Sequence, residues 1–106
     1  MGSVKTLIIV SVRAPTIQGP EKMEAIRKVI FERVAEPLGF EKDIHYRAQH
    51  SIVDGNFLDF YLFRPGKLKR SLYDRADKTL KKLKHDWLLM QGYSILTIGG
   101  KEIYQH

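Results

Sequence analysis

The chain opens with residues that would be apolar on both faces of a β-strand. Residues 4–12 (VKTLIIVSV) are rich in β-branched side chains, which predicts a buried central strand. Pro15 and Gly19 mark the loop that follows. The apolar period then changes to three and four residues, which predicts a first helix from Pro20 with its stop at Gly39. The stripe of that helix comprises Met23, Ile26, Ile30, Val34 and Leu38.

The middle of the chain predicts a β-hairpin. Residues 44–53 alternate in polarity, residues 57–63 form the return strand, and Asp54-Gly55-Asn56 between them is a tight-turn signal. On the second of these strands one face carries Leu58, Phe60 and Leu62. The opposite face presents Phe57, Asp59, Tyr61 and Phe63. Aromatic side chains on an open sheet face could stack on unpaired bases, be buried in a sheet-to-sheet dimer, or be covered by the C-terminal tail of the chain.

Helical spacing returns after Leu68. It predicts a second helix that begins before Leu72 and runs unbroken to Met90, with Gly92 closing it. Its stripe comprises Leu72, Ala76, Leu80, Leu83, Trp87 and Met90, and Tyr73 is also predicted to be a core residue. Residues 93–98 predict a final strand, and residues 102–104 a short tail strand.

The predicted order of elements is β-α-β-β-α-β in a single domain of residues 1–106. Right-handed crossovers turn that order into a ferredoxin-like α+β fold, with a four-stranded antiparallel sheet and both helices on one face. Strands one and three would be central, which suits their apolar composition. The second face of the sheet is left to solvent or to a partner.

Positive charge is concentrated in one short segment. Nine of the eighteen Lys and Arg residues fall within residues 64–84, where only two Asp residues oppose them. This segment has a net charge of +7, and the rest of the chain has a net charge of −1, which together give the total of +6. Such a surface attracts phosphates or an acidic protein. The candidate nucleic-acid contacts are Arg64, Lys67, Lys69, Arg70, Arg75, Lys78, Lys81, Lys82 and Lys84, with Arg47 joining them if the sheet edge takes part.

Composition excludes several classes of site. The chain has no cysteine, so disulfides, thiolate zinc sites and thiol nucleophiles are excluded. Its longest apolar run, residues 7–10, is too short for a membrane span or a signal peptide. We therefore expect a cytoplasmic protein that does not enter a membrane.

Residues 20–104 also resemble the very-short-patch-repair branch of the PD-(D/E)XK nucleases. The matching pieces, in order, are an acidic helix start (Glu21, Glu24), then YRAQHSIVDGNFLDFYL, then HDWLLMQGYSILTIGGKEI. The resemblance implies an α/β nuclease core in which Asp59 binds Mg²⁺ with help from Glu24 or Glu21. The next strand of that family carries a second acidic residue. Here only Asp74 or Asp77, in the segment KLKRSLYDRADK, could take that role, so the metal site is incomplete.

Three functions remain after this reading. The first is a non-catalytic nucleic-acid-binding protein that contacts phosphates through its second helix and needs no cofactor. The second is a Mg²⁺-dependent or degenerate nuclease that uses Asp59 with Glu24, Asp74 or Asp77. The third is a protein-interaction module, such as a viral or plasmid-borne inhibitor, that docks on an acidic protein and dimerises through the open sheet face. The sequence favours the first and leaves enzymatic activity undecided.

Overall fold

The computed structural model describes residues 4–13, 20–51 and 55–99 of the chain. The strands are β1 (Lys5–Arg13), β2 (His45–Ser51), β3 (Gly55–Pro65) and β4 (Met90–Ile98). The helices are α1 (Pro20–Ile30), α2 (Glu36–Leu38) and α3 (Arg70–Asp86), and a π-helical turn (Phe31–Ala35) joins α1 to α2. The tail strand predicted at residues 102–104 and the first residue of the predicted turn, Asp54, lie outside the described residues.

The sheet has the strand order β2-β3-β1-β4, and all three pairings are antiparallel. The predicted α+β fold of the ferredoxin-like type, a four-stranded antiparallel sheet with two helical segments, is confirmed. The prediction that the first and third strands are central is also confirmed. β1 pairs with β3 on one side and with β4 on the other, so its side chains have cross-strand neighbours on both sides.

The hydrophobic core lies between one face of the sheet and the helices. Alternate residues of β1 and β3, such as Val10 and Phe60, are fully buried together with Ile30 of α1 and Leu80 of α3. Because successive side chains of a strand point to opposite faces, the helices must lie on the face that these residues share. The core residues from the two central strands are Ile8, Val10, Val12, Leu58, Phe60 and Leu62.

The first helical segment begins at Pro20 and ends at Gly39, as predicted, but it is not a uniform α-helix. The π-helical turn lies just before Pro37, and the Glu36 N–H donates to the Phe31 carbonyl instead of to the residue four positions back. Proline has no N–H and its ring crowds the preceding turn, so a widened turn accommodates it. Gly39 then adopts φ 74°, the left-handed conformation in which helices commonly end.

The start of α3 is fixed by contacts between the preceding loop and the sheet. The buried Thr6 hydroxyl donates to the Gly66 carbonyl at 3.0 Å, and the Leu68 N–H donates to Thr97 Oγ1 at 3.2 Å. The helix begins at Arg70, before Leu72 as predicted. Residues 67–69 are not a strand and residues 70–73 are helical, as the ferredoxin-like prediction requires.

Two predictions about α3 are wrong. The helix ends at Asp86, and Met90 is the first residue of β4, which begins three residues earlier than predicted. Trp87 is extended, and the Met90 N–H donates to its carbonyl at 3.1 Å, which closes a tight turn. Met90 is buried, but it reaches the core from β4 and not from α3. The apolar positions at helical spacing therefore continue past the last residue of the helix. Tyr73, predicted to lie in the core, is 41% exposed.

Candidate nucleic-acid interface

The outward face of α3 carries a row of exposed lysines. Leu72, Ala76, Leu80 and Leu83 are buried against the sheet, so the helix presents its opposite side to solvent. Lys78, Lys81 and Lys82 lie on that exposed side. At 100° per residue these three side chains fall within one face of the helix. The sequence prediction that they form one surface is therefore consistent with their placement.

Few acidic side chains neutralise this surface. Lys81 Nζ lies 2.9 Å from Asp77 Oδ2, and Arg70 Nε lies 3.5 Å from Asp74 Oδ1. Within residues 4–13, 20–51 and 55–99, no ion pair involves Lys78, Lys82 or Lys84. Exposed ion pairs contribute little free energy, about 0 to 1 kcal/mol, so even the paired cations can exchange their carboxylate for another anion.

The N-terminal end of α3 extends the positive surface. Lys67 and Lys69 are exposed in the loop before the helix, and Arg70 begins it. The first turn contains no acidic residue, and Lys69 at the N-cap makes no side-chain capping hydrogen bond. Basic residues at this end add to the positive pole of the helix dipole, an arrangement that is unfavourable unless anions are nearby.

Two of the predicted phosphate contacts have a structural role. Arg64 Nη1 donates to the Leu38 carbonyl at 2.6 Å, and Arg75 Nη2 donates to the Pro37 carbonyl at 3.4 Å. The preceding two carbonyls, of Ala35 and Glu36, accept from backbone N–H groups in a Schellman motif. The two arginines thus satisfy the last carbonyls of α2, which a helix end otherwise leaves without partners. Arg64 is half-buried, whereas Arg75 remains exposed one turn before Lys78 on α3.

A hydrogen-bonded network fastens the other flank of α3 to the edge strand β4. The Tyr93 hydroxyl donates to Asp77 Oδ1 at 2.6 Å. This bond, and the one from Lys81, lower the pKa of Asp77 below its usual value. The Asp77 carboxylate in turn raises the pKa of Lys81. Burial, followed by the hydrogen bond to Asp77, raises the pKa of Tyr93 to about 12. Asp77 is therefore held in its charged form on the helix surface.

Sequence reasoning missed an ion pair that fixes the C-terminal end of α3. Arg33 Nη2 lies 3.1 Å from Asp86 Oδ2 and joins the π-helical turn to the last residue of the helix. Hydrogen bonds from Arg33 and then from His85 lower the pKa of Asp86. The two residues are 53 positions apart in sequence, and neither belongs to a periodic pattern. No sequence signal connects them.

The carboxylates of the nuclease reading do not converge. Asp59 lies on the sheet face opposite the helices and accepts a hydrogen bond from Ser11 Oγ at 2.7 Å. Glu24 lies on α1, where it pairs with Arg27 at 3.7 Å, and Asp74 and Asp77 lie on α3, across the sheet from Asp59. Among the described residues no group of three or more histidines or carboxylates could hold a metal ion.

Arg47 is also separate from the lysine row. It lies on the edge strand β2, directly opposite Asp59 in the β2–β3 register, and therefore on the open face of the sheet. The sheet lies between this side chain and α3. The candidate interface thus reduces to the helix and the loop before it. Apart from Arg75, which donates to the Pro37 carbonyl, its exposed cations are Lys67, Lys69, Arg70, Lys78, Lys81, Lys82 and Lys84.

No protein-family model, curated protein or solved structure matches this chain. Its function must therefore be argued from its own residues. Within the part of the chain that the structure describes, no helix combines the length and the apolar composition that crossing a bilayer requires. The concentration of charge on α3 is the feature on which a functional argument can rest.

Proposed function

We propose that this chain is a non-catalytic protein that binds nucleic acid through phosphate contacts from α3. The observation that carries the proposal is the row of exposed lysines in which Lys78 has no ion pair among the described residues and Lys82 has only a longer-range attraction to Asp86. Mutual repulsion of unpaired lysines on one helix is unfavourable. Phosphates relieve that repulsion, and release of their condensed counterions supplies the driving force for binding.

The contacts belong to the exposed cations of α3 and its preceding loop, not to the arginines that cap α2. Arg64 and Arg75 already donate to backbone carbonyls, so turning them to a phosphate would leave those carbonyls without partners. Lysine ammonium groups on long flexible stems bind phosphates as point charges and read no base sequence. We therefore expect binding with little sequence preference.

The proposal does not include cleavage of the bound strand. Two-metal hydrolysis requires carboxylates that converge on the scissile phosphate. Asp59 lies on one side of the sheet, whereas Asp74 and Asp77 lie on the side of the helices. The four carboxylates of the nuclease reading cannot meet at one phosphate without rearrangement of the fold.

A charge-reversal variant tests the proposal. Lys78→Glu, Lys81→Glu and Lys82→Glu together should abolish binding to labelled duplex DNA, single-stranded DNA and RNA, measured by fluorescence anisotropy at low salt. The matched control is Lys22→Glu, Lys28→Glu and Lys42→Glu, which changes the net charge equally at exposed positions outside α3. We expect the control to retain most of the affinity. Circular dichroism and thermal melting verify that both variants fold.

Two outcomes would overturn the proposal. Equal losses in the two variants would mean that net charge alone attracts the nucleic acid and that α3 is not a site. Absence of binding by the unmodified chain at low salt would leave α3 as a docking surface for an acidic protein.

A further inference from the structure

The sheet has a second apolar face, which the helices do not cover. Leu7 is only 7% exposed, yet it does not belong to the core cluster beneath the helices. Its neighbours in register, Phe63 on β3 and Leu96 on β4, lie beside it on the same face of the sheet, which is the face opposite the helices. An antiparallel sheet with one solvated face usually carries polar residues there. The apolar side chains on this open face are Leu7, Ile9, Phe57, Tyr61, Phe63, Leu96 and Ile98.

Most polar groups on the open face lie towards one end of it, with His45 and Ser94 near the middle beside Tyr61 and Ile9. Asp59 accepts the hydrogen bond from Ser11 and lies opposite Arg47 in register, so its charge has partners within the chain. At the other end the single cation, Lys5, places its Nζ 5.6 Å from the centre of the Phe63 ring. The face therefore has an apolar half around Leu7 and a polar half around Asp59.

We propose that a second copy of this chain covers the open face, related by a two-fold axis parallel to the strands. Rotation about such an axis leaves the position of each residue along the strand direction unchanged. The apolar half of one copy therefore faces the apolar half of the other. It places β1 over β3 of the second copy, with Leu7 over Phe63 and Ile9 over Tyr61. Stacked sheets pack at a small angle set by their twist, which preserves this correspondence near the centre.

The other two-fold arrangement is unfavourable. An axis perpendicular to the strands would reverse them and place Lys5 of one copy over Arg13 of the other, because these residues are the two ends of β1. It would also set Leu7 against Ser11. Like charges and mismatched polarity oppose that packing. The distribution of charge along β1 thus selects one symmetry.

The area of the open face is sufficient for a stable dimer. The strands β3, β1 and β4, about 4.8 Å apart, cover a width of about 14 Å along the nine residues of β1, which span about 30 Å, and β2 adds a fourth strand only beside Ile9 to Arg13. The footprint is about 500 Å² on each copy, or about 1,000 Å² in total, the lower limit for a specific interface. Association through this face leaves both copies of α3 exposed on the outer sides. The inference is therefore independent of the proposed nucleic-acid binding.

Sedimentation analysis of the full chain over a concentration series tests the inference. We expect a dimer for the unmodified chain, and a monomer for Tyr61→Lys and, separately, for Leu96→Lys. The two variants lie on different strands, so one remains informative if the other does not fold. The matched control is Tyr73→Lys, since Tyr73 is an exposed tyrosine on α3. It should remain dimeric.

Three results would contradict the inference. The first is an unmodified chain that stays monomeric at every concentration. The second is a folded Tyr61→Lys variant that stays dimeric. The third is a monomeric chain whose affinity for single-stranded nucleic acid falls in Tyr61→Lys, which would make the open face a platform on which bases stack.

Discussion

Removing the guanidinium of Arg64 should destabilise the fold without weakening nucleic-acid binding. Arg64→Met keeps an unbranched side chain of similar reach but deletes the donor that caps the Leu38 carbonyl at 2.6 Å. Hydrogen bonds to charged groups contribute about 1.5 to 3 kcal/mol. Arg64 is half-buried, so water can partly replace the lost donor, and we expect a loss of about 1 to 2 kcal/mol.

This loss is measurable in a thermal melt. For a domain of this size 1 kcal/mol corresponds to about 4 to 5 °C, so the Tm of Arg64→Met should fall by about 4 to 10 °C. Its affinity for nucleic acid should change by less than about twofold, because the guanidinium points to a carbonyl and not to the ligand. A lost phosphate contact would instead reduce the slope of log affinity against log salt by about 1.

The control is Lys78→Met, for which the opposite pattern is expected. Lys78 is exposed and makes no ion pair among the described residues. The free energy of unfolding of Lys78→Met should therefore differ from that of the unmodified chain by less than about 0.5 kcal/mol. The salt slope of this variant should fall by about 1. The reasoning would be refuted by an Arg64→Met variant that melts like the unmodified chain and has a lower salt slope, since Arg64 would then be a phosphate contact.

Two further predictions concern stability. The pKa of Tyr93 is raised from 10.0 to about 12, so the folded state holds this proton more tightly. The stability that this bound proton contributes is complete below about pH 10 and is lost as the pH rises towards 12. Chemical denaturation between these pH values should show that the free energy of unfolding falls more steeply with pH for the unmodified chain than for Tyr93→Phe. Equal dependence on pH in the two proteins would contradict this role of Tyr93. Phe60→Ala, at a fully buried core position, should cost about 3 to 5 kcal/mol, whereas a loss below about 1 kcal/mol would contradict the described core.

The fold was largely predictable because its determinants are local patterns. The β-branched run of β1 predicts a buried strand, and the three- and four-residue spacing of α3 fixes which of its side chains turn inward. Gly39 was identified as a helix stop because few other residues adopt its positive φ readily. The π-helical turn was missed because Pro37, taken alone, does not indicate how the preceding turn adjusts.

The two errors on α3 lie at its C-terminal end and on its flank. Met90 continues the spacing of α3, and a register shift between β1 and β4 brings it into the core although its parity is opposite to that of Tyr93 and Ile95, so the pattern gave no sign that the helix ends at Asp86. Tyr73 was assigned to the core by residue type, but it lies on the flank of α3 beside the buried stripe. A tyrosine can leave its hydroxyl in water at such a position, so its type did not decide its burial.

The candidate site was predictable in its charge but not in the role of each cation. Local density identified α3, yet it could not separate free lysines from arginines that cap a distant helix. For Arg64 a signal did exist, because residue 64 continues the inward parity of Leu58, Phe60 and Leu62 on β3. For Arg75 none did, since its partner is a carbonyl 38 residues away. Tertiary packing alone determines that contact.

The dependence of nucleic-acid affinity on salt tests the central claim most directly. If three to five cations of α3 and its preceding loop neutralise phosphates, log affinity should fall against log salt with a slope of about −3 to −5. The measurement is anisotropy titration of the unmodified chain at a series of salt concentrations, with Lys78→Met as the comparison because the triple charge reversal is expected not to bind. A slope in the expected range that becomes shallower by about 1 in that variant supports the account. A slope near zero, or one that the variant leaves unchanged, would contradict it.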